Sequence, residues 1–263
     1  VTLQLLFSLQ VALLAFAILA VPLAAARRGS TLVYVGVLLL SAAALSLAGA
    51  HLLSPGAETQ RAVLQLGIPW MGAHFRLDGL SAFFVAVINF GTAASSLYAI
   101  GYGRYESQPG RVLPFYCAFP AGMNIVLLAD DAFTFLLAWE FMSLASWALV
   151  LSHHKDAENV RAGFIYLVMA SFGTLALLLA FGLLAGPDGG YVFDQMRASR
   201  PDATITGLAL VLTLIGAGSK AGVVPLHVWL PLAHPAAPSH VSALMSGVMT
   251  KVALYAIVRI VFD

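Results

Sequence analysis

From Ala162 to Ala185 the chain carries no charged side chain, and about 20 such residues are what a helix needs to cross the hydrocarbon core of a bilayer. Comparable apolar runs, separated by charged or Gly/Pro punctuation, recur along all 263 residues. They predict helices at about Leu3–Ala26, Thr31–Leu53, Leu77–Gly101, Val112–Ala129, Ala132–Ser152, Ala162–Ala185, from near Ile205 with an interruption around Pro225, and Ser239–Val261. With 60% hydrophobic and 10% charged residues and a mean hydropathy of +0.91, no sizeable aqueous domain is left over. Barrel strands would be about ten residues long with alternating polarity. The expected fold is therefore all-α and integral to the membrane, with about eight transmembrane helices and a discontinuous seventh.

The same arithmetic excludes a soluble enzyme. One cysteine, Cys117, can form neither an intrachain disulfide nor a four-cysteine iron–sulfur site. The net charge is +1 with scattered Lys and Arg, so nucleic acid is not an expected partner. No ligand pair for haem or metal stands out on facing helices, and no cofactor is expected. The first apolar run lacks a basic lead and a small-residue cleavage site, so it reads as a span rather than a signal peptide. With the N-terminus outside, Arg27, Arg28, Arg104, Arg111, Lys155 and Arg161 fall in inner loops, against Arg61, Arg76, Arg197 and Arg200 in outer ones. Asp78, opening the third helix, reads as a helix N-terminal carboxylate.

Most of the 25 charged residues lie in loops or at helix ends, which leaves Glu140, Lys220 and Lys251 near the middle of apolar spans. Each costs about 2.5–3.5 kcal/mol at a helix centre on insertion scales, so all three are expected to face a bundle interior, paired or hydrated. An ion or proton path is one reading, and a structural ion pair is the other. Thr206, Thr213 and Lys220 recur every seven residues with Gly216 alongside, and His240, Gly247 and Lys251 are expected on one face of the last helix. Ser239, Ser242, Ser246 and Thr250 adjoin that face, as a water-bearing stripe or as ordinary packing hydroxyls.

The segment from Lys220 through Gly222 to Pro225 is expected to break the helix. Pro225 and Pro231 have no N–H to offer the carbonyls of Ala221 and His227, and irregular backbone at membrane depth survives only inside protein or beside a wet cavity. His227 and His234 flank the break, as relay groups or as satisfied loop histidines, and His153-His154 at the inner end of the fifth helix reads as solvated surface, with proton entry to the path as the other reading. Burial favours the neutral form of a lysine amine. A carboxylate at about 4 Å opposes this by roughly 4 kcal/mol at an effective dielectric near 20. Movement of Glu140 relative to Lys220 would therefore switch the amine between charged and neutral.

Trp139-Glu140-Phe141-Met142-Ser143-Leu144, Ser219-Lys220-Ala221-Gly222 leading into Pro225-Leu226-His227-Val228-Trp229-Leu230-Pro231, and Ala237-Pro238-Ser239-His240-Val241-Ser242-Ala243-Leu244-Met245 with Lys251 together resemble the antiporter-like subunits of respiratory complex I and Mrp-type cation/proton antiporters. Leu77-Asp78-Gly79-Leu80-Ser81 and the run from Trp139 to Lys251 are most similar to the large membrane subunit of hydrogenase-4 and formate hydrogenlyase. The resemblance implies lead-in helices over residues 1–111 and one five-helix antiporter-like repeat over 112–263, with the second, inverted repeat absent from this chain. It implies a proton path through Glu140, Lys220 and Lys251, to which the residues add His240 and His227, with the helix break at Gly222 and Pro225.

Redox chemistry would then reside in a partner arm bearing iron–sulfur clusters, reached indirectly. The direct partners would be other membrane subunits of a complex I-like or group 4 hydrogenase assembly and the lipid of a bacterial or archaeal inner membrane. Two other readings stand beside this one: an Mrp-type Na⁺/H⁺ antiporter subunit with no redox partner, and a truncated product with only a scaffold role.

Overall fold

The computed structural model describes residues 1–187, 189–199 and 201–263; Arg200, counted above among the outer-loop arginines, lies outside the described residues. Eight helical stretches among them are long and apolar enough to cross a membrane. The first six are α1 (Thr2–Leu23), α2 (Gly29–Leu53), α3 (Gly79–Tyr102), α4 (Pro109–Leu128), α5 (Ala132–Val150) and α6 (Ala157–Ala185). After the short α7 (Phe193–Ala198), the seventh span is α8 (Ala203–Ala221), followed past a break by α9 (Leu230–Ala236). The eighth is composite: α10 (Ser239–Leu244), a π-helical turn at Met245–Met249, and α11 (Thr250–Phe262).

Local chemistry sets where the spans begin. Asp78, Asp131, Asp156 and Asp202 each accept a first-turn amide with a side-chain oxygen, at the starts of α3, α5, α6 and α8. These satisfy donors that a helix start otherwise leaves orphaned. At Asp78 the cap is reciprocal, Ser81 N–H donating to the carboxylate at 2.8 Å and Ser81 Oγ accepting from the Asp78 amide at 2.8 Å. Pro109 starts α4, where a missing N–H costs nothing.

The link between α2 and α3 adds what the all-α expectation left as loop. An antiparallel hairpin pairs β1 (Gln60–Leu64) with β2 (Ala73–Leu77), Ala62 opposite Phe75. Phe75 bridges to Ala129 and Asp131 to Val192, so the hairpin, the α4–α5 turn and the α6–α8 connection gather at one end of the bundle. The start of α1 joins them, since the backbone nitrogens of Val1 and Leu3 donate to Gln60 Oε1 at 3.3 and 2.9 Å. The loops around 24–28, 103–108 and 151–156 make up the opposite end.

Helix α4 is central and buried on most of its circumference, whereas α1, α2 and α6 are buried over about a third of theirs or less. Asn89 on α3 donates to Asn124 on α4 at 2.7 Å, both fully buried. Small residues let the backbones close up, as usual in membranes. A Cβ on Gly216 would lie 2.6 Å from the Gly173 carbonyl oxygen, so the α6–α8 crossing needs both glycines. That crossing lies about one helical turn from Lys220, on α8's buried face.

Candidate functional site: a buried lysine above a broken helix

The seventh span ends at Gly222, which takes the left-handed conformation at φ +78° that a residue without Cβ adopts freely. Val223 N–H then donates to the Gly218 carbonyl at 2.9 Å and Gly222 N–H to that of Ser219 at 3.3 Å, a Schellman closure. Pro225 follows in the connecting turns, as a residue that cannot continue a helix. Trp229 folds back over the break, its Nε1–H donating to the Ser219 carbonyl at 2.8 Å. Of the two residues expected to break the helix, Gly222 closes it and Pro225 lies in the turns beyond.

The last turn before this closure carries Lys220, with 4% of its surface exposed. Its Nζ donates to Ser143 Oγ on α5 at 2.7 Å and lies 5.4 Å from the centroid of Trp139 and 5.5 Å from that of Tyr166. Among the described residues no carboxylate stands within ion-pair distance of it. Glu140, one turn before Ser143 on α5, is half-buried with one carboxylate oxygen buried and unpartnered. The amine therefore rests on a hydroxyl and two aromatic faces, with no carboxylate bonded to it among the described residues.

Ser143 belongs to a short hydroxyl network. Its Oγ donates to the Trp139 carbonyl at 2.7 Å, while Ser146 Oγ meets Tyr166 OH at 2.6 Å and the Ser143 carbonyl at 3.0 Å. Tyr166 OH points on to Met249 Sδ at 3.6 Å, in the π-helical turn. A small cavity beside Lys220, lined by Tyr166, Gly173, Gly216 and Trp229 among others, has about 10 Å³ for solvent, the space of roughly one water. Thr213, fully buried on the Lys220 face, has an unpartnered hydroxyl. Thr206, two turns further, is exposed at the helix start, so the seven-residue stripe is internal only from Thr213 to Lys220.

Lys251 corrects the expectation that all three membrane charges face an interior of this chain. It is exposed, and its amine reaches only the Ser246 carbonyl at 3.4 Å and Thr250 Oγ1 at 3.2 Å, both on its own helix. His240, by contrast, is buried, with Nε2 3.0 Å from Tyr34 OH and its ring against those of Tyr34 and Tyr116. The expected common face of His240, Gly247 and Lys251 does not form. The π-helical turn inserts one extra residue between them, which rotates the downstream faces by about 100°. Gly247 and Lys251 thus turn outward together with Ser246. His227 is half-buried in the break with an unpartnered Nδ1, and His234 pairs with Ser242 Oγ at 2.7 Å.

A second polar centre was not expected from the sequence. Arg259, near the end of α11, is 5% exposed and grips Asp78 with two nitrogens, at 2.7 and 2.8 Å. Arg76 from β2 lies 3.3 Å from both Asp78 and Asp130, and Asp263 joins Arg76, Arg197 and Arg259. Burial alone would raise the Asp78 carboxyl, but hydrogen bonds from Arg259 and Ser81 and the charge of Arg76 hold it well below the usual carboxylate range. Asp130 is moved the other way, upward, because burial outweighs the attraction of Arg76. This centre ties the last span to the hairpin and to the start of α3.

Removing Ser143's hydroxyl isolates its contribution. In Ser143→Ala the Lys220 amine loses its one close acceptor, a loss worth roughly 1–3 kcal/mol for a buried group. Thermal melts of the detergent-solubilised protein are expected to shift downward, and Ser143→Thr, which keeps the hydroxyl, is expected to recover most of the shift.

Eight spans, a seventh broken below a buried lysine, and a glutamate on the facing helix define the class of antiporter-like membrane subunits. The chain belongs to the NADH:quinone oxidoreductase/Mrp antiporter family, whose transmembrane description matches residues 129–263. It is 40% identical over 190 residues to hydrogenase-4 component B of Escherichia coli (strain K12), covering 72% of this chain and 28% of that protein. It is 30% identical over 199 residues to NADH-quinone oxidoreductase subunit N of Desulforudis audaxviator, covering 74% and 39%. Its fold superposes on a chain of the Mrp complex from Dietzia sp. DQ12-45-1b with a TM-score of 0.80 at 24% identity, covering 97% of this chain and 28% of that one. The chain thus spans well under half the length of these relatives.

Proposed function

We propose that this chain is the N-terminal portion of a proton-translocating antiporter-like subunit that couples redox chemistry in a partner hydrogenase or complex I-like arm to ion transport. Residues 1–111 supply lead-in helices and 112–263 the first antiporter-like repeat. The observation that carries the reading is Lys220, buried on a neutral hydroxyl and bonded to no carboxylate among the described residues, with the unpartnered Glu140 one helical turn from that hydroxyl on α5. A paired structural lysine would sit on its carboxylate; this one has an acceptor suited to either protonation state, since a neutral hydroxyl oxygen accepts from an ammonium or from an amine N–H alike. Approach of Glu140 favours the ammonium, and withdrawal favours the amine.

Lys251, turned outward with Ser246 and Gly247, is the group that would hand a proton to a further membrane segment packed on that face, and His240 and His227 would serve as relay groups on the same path. The 40% identity to a hydrogenase-4 component supports a redox-linked assembly over a stand-alone Na⁺/H⁺ antiporter. The test is proton uptake into vesicles carrying the full assembly with Glu140→Gln. The expected result is a loss of pumping with subunits still co-purifying; undiminished uptake would overturn the role given to Glu140.

A further inference from the structure

The end of the bundle opposite the ionic centre carries arginines of a different kind. Arg27 and Arg28, in the turn between α1 and α2, and Arg104, just past α3, line one concavity of about 540 Å³ with Ser30 and Thr31. All three arginines are exposed, and among the described residues none has an ion-pair partner, whereas Arg61, Arg76, Arg197 and Arg259 at the other end all do. The acidic residue nearest in sequence to Arg104, Glu106, has a buried side chain already held by His153 Nε2 at 3.1 Å and the Gln108 amide at 3.0 Å. The two segments are brought together by Gly103, where a Cβ would stand 2.2 Å from the Tyr34 ring, so only glycine lets the end of α3 rest on the start of α2. Three cations are thus held beside one another and two hydroxyls, with no carboxylate in the lining.

The surroundings indicate what neutralises them. Tyr98 and Tyr102 stack at 5.4 Å and are both exposed, and Tyr105 is 88% exposed, the amphipathic rings that settle at headgroup level. One to three turns toward the membrane interior, Ile18, Leu19 and Val21 on α1, Leu32 on α2 and Leu97 on α3 are exposed apolar side chains. A phosphate-bearing headgroup above and acyl chains below fit that order. An acidic protein segment would match the arginines but not the apolar wall. Basic pockets between membrane helices are where dianionic headgroups bind, and Arg meets phosphate oxygens two at a time.

We infer that Arg27, Arg28 and Arg104, with Ser30 and Thr31, form a binding site for the phosphate groups of an anionic phospholipid in the leaflet at this end.

The test uses the full assembly, delipidated in detergent and reconstituted into nanodiscs of phosphatidylcholine containing a trace of labelled cardiolipin. Retained label is measured for wild type, for the triple variant R27Q/R28Q/R104Q, and for the control R111Q/K155Q, which removes two charges from the same end but outside the pocket. With about 1 kcal/mol for each basic residue near a membrane surface, the triple variant is expected to hold cardiolipin on the order of a hundredfold more weakly, and the control to match wild type. Equal retention by wild type and triple variant overturns the site. So does displacement of the label by millimolar inorganic phosphate, which would mark a free-anion site, or loss of a partner subunit from the triple variant with lipid retention unchanged, which would mark a protein contact. Co-purification of all subunits with the triple variant confirms that it folds.

Discussion

Replacing Arg259 by alanine is expected to stop the subunit from accumulating in the membrane. The guanidinium is buried and makes two hydrogen bonds to Asp78, so its removal leaves a carboxylate with Arg76 alone at 3.3 Å. Breaking one side of a buried ion pair costs roughly 3–5 kcal/mol, comparable to the low end of a domain's whole stability. Asp78 also caps α3 through Ser81, and Arg76 carries the hairpin, so the loss reaches three elements at once. Membrane abundance on immunoblots and the melting temperature of any protein recovered are the measurements. Asp78→Asn, which keeps the cap oxygen but not the charge, is expected to be milder.

The same centre sets a pH dependence. Because the folded state holds the Asp78 carboxyl below its ordinary range, the stabilisation is complete above about pH 4, where the unfolded carboxyl is ionised, and is lost as pH falls further. Melting temperature in wild type should therefore hold from neutral pH down to about 5 and drop below 4, and in Asp78→Asn that portion of the drop should be missing.

The spans were legible because a charge-free run of membrane length has few other stable solutions, and the largest displacement of a helix end has a local reason. α6 starts at Ala157 rather than Ala162 because its first turn holds Glu158 and Arg161 behind the Asp156 cap, charges that read as loop. The α2–α3 hairpin was missed although Ala73-His74-Phe75-Arg76-Leu77 alternates with period two, a signal that was available. The π-helical turn left no mark in the sequence, and it alone separates His240 from Lys251. Nor could sequence place Arg259 on Asp78, 181 residues away. For the buried lysine, depth and the neighbouring break were readable, while its resting acceptor, Ser143, lies on another helix and follows only from packing.

Lys220→Arg is the second variant with a large expected effect, and it separates a proton carrier from a fixed charge. Arginine keeps the positive charge and can still donate to Ser143, but with a pKa above about 12 it does not release a proton under physiological conditions. If Lys220 serves only to bind α8 to α5, the charge suffices and transport persists. If the amine must lose and regain a proton in each cycle, transport fails, by about a hundredfold or more on the scale at which a positioned acid–base group contributes. The larger guanidinium meets Trp139, Tyr166 and the small cavity at the α6–α8 crossing, so assembly is checked by co-purification and compared with Lys220→Met, which fills similar space without charge.

The deciding measurement is the rate of proton uptake, per assembled complex, into vesicles bearing Lys220→Arg in the full assembly. Intact assembly with uptake abolished in the arginine and methionine variants alike is the expected result; uptake at the wild-type rate in Lys220→Arg would rule out Lys220 as a proton carrier.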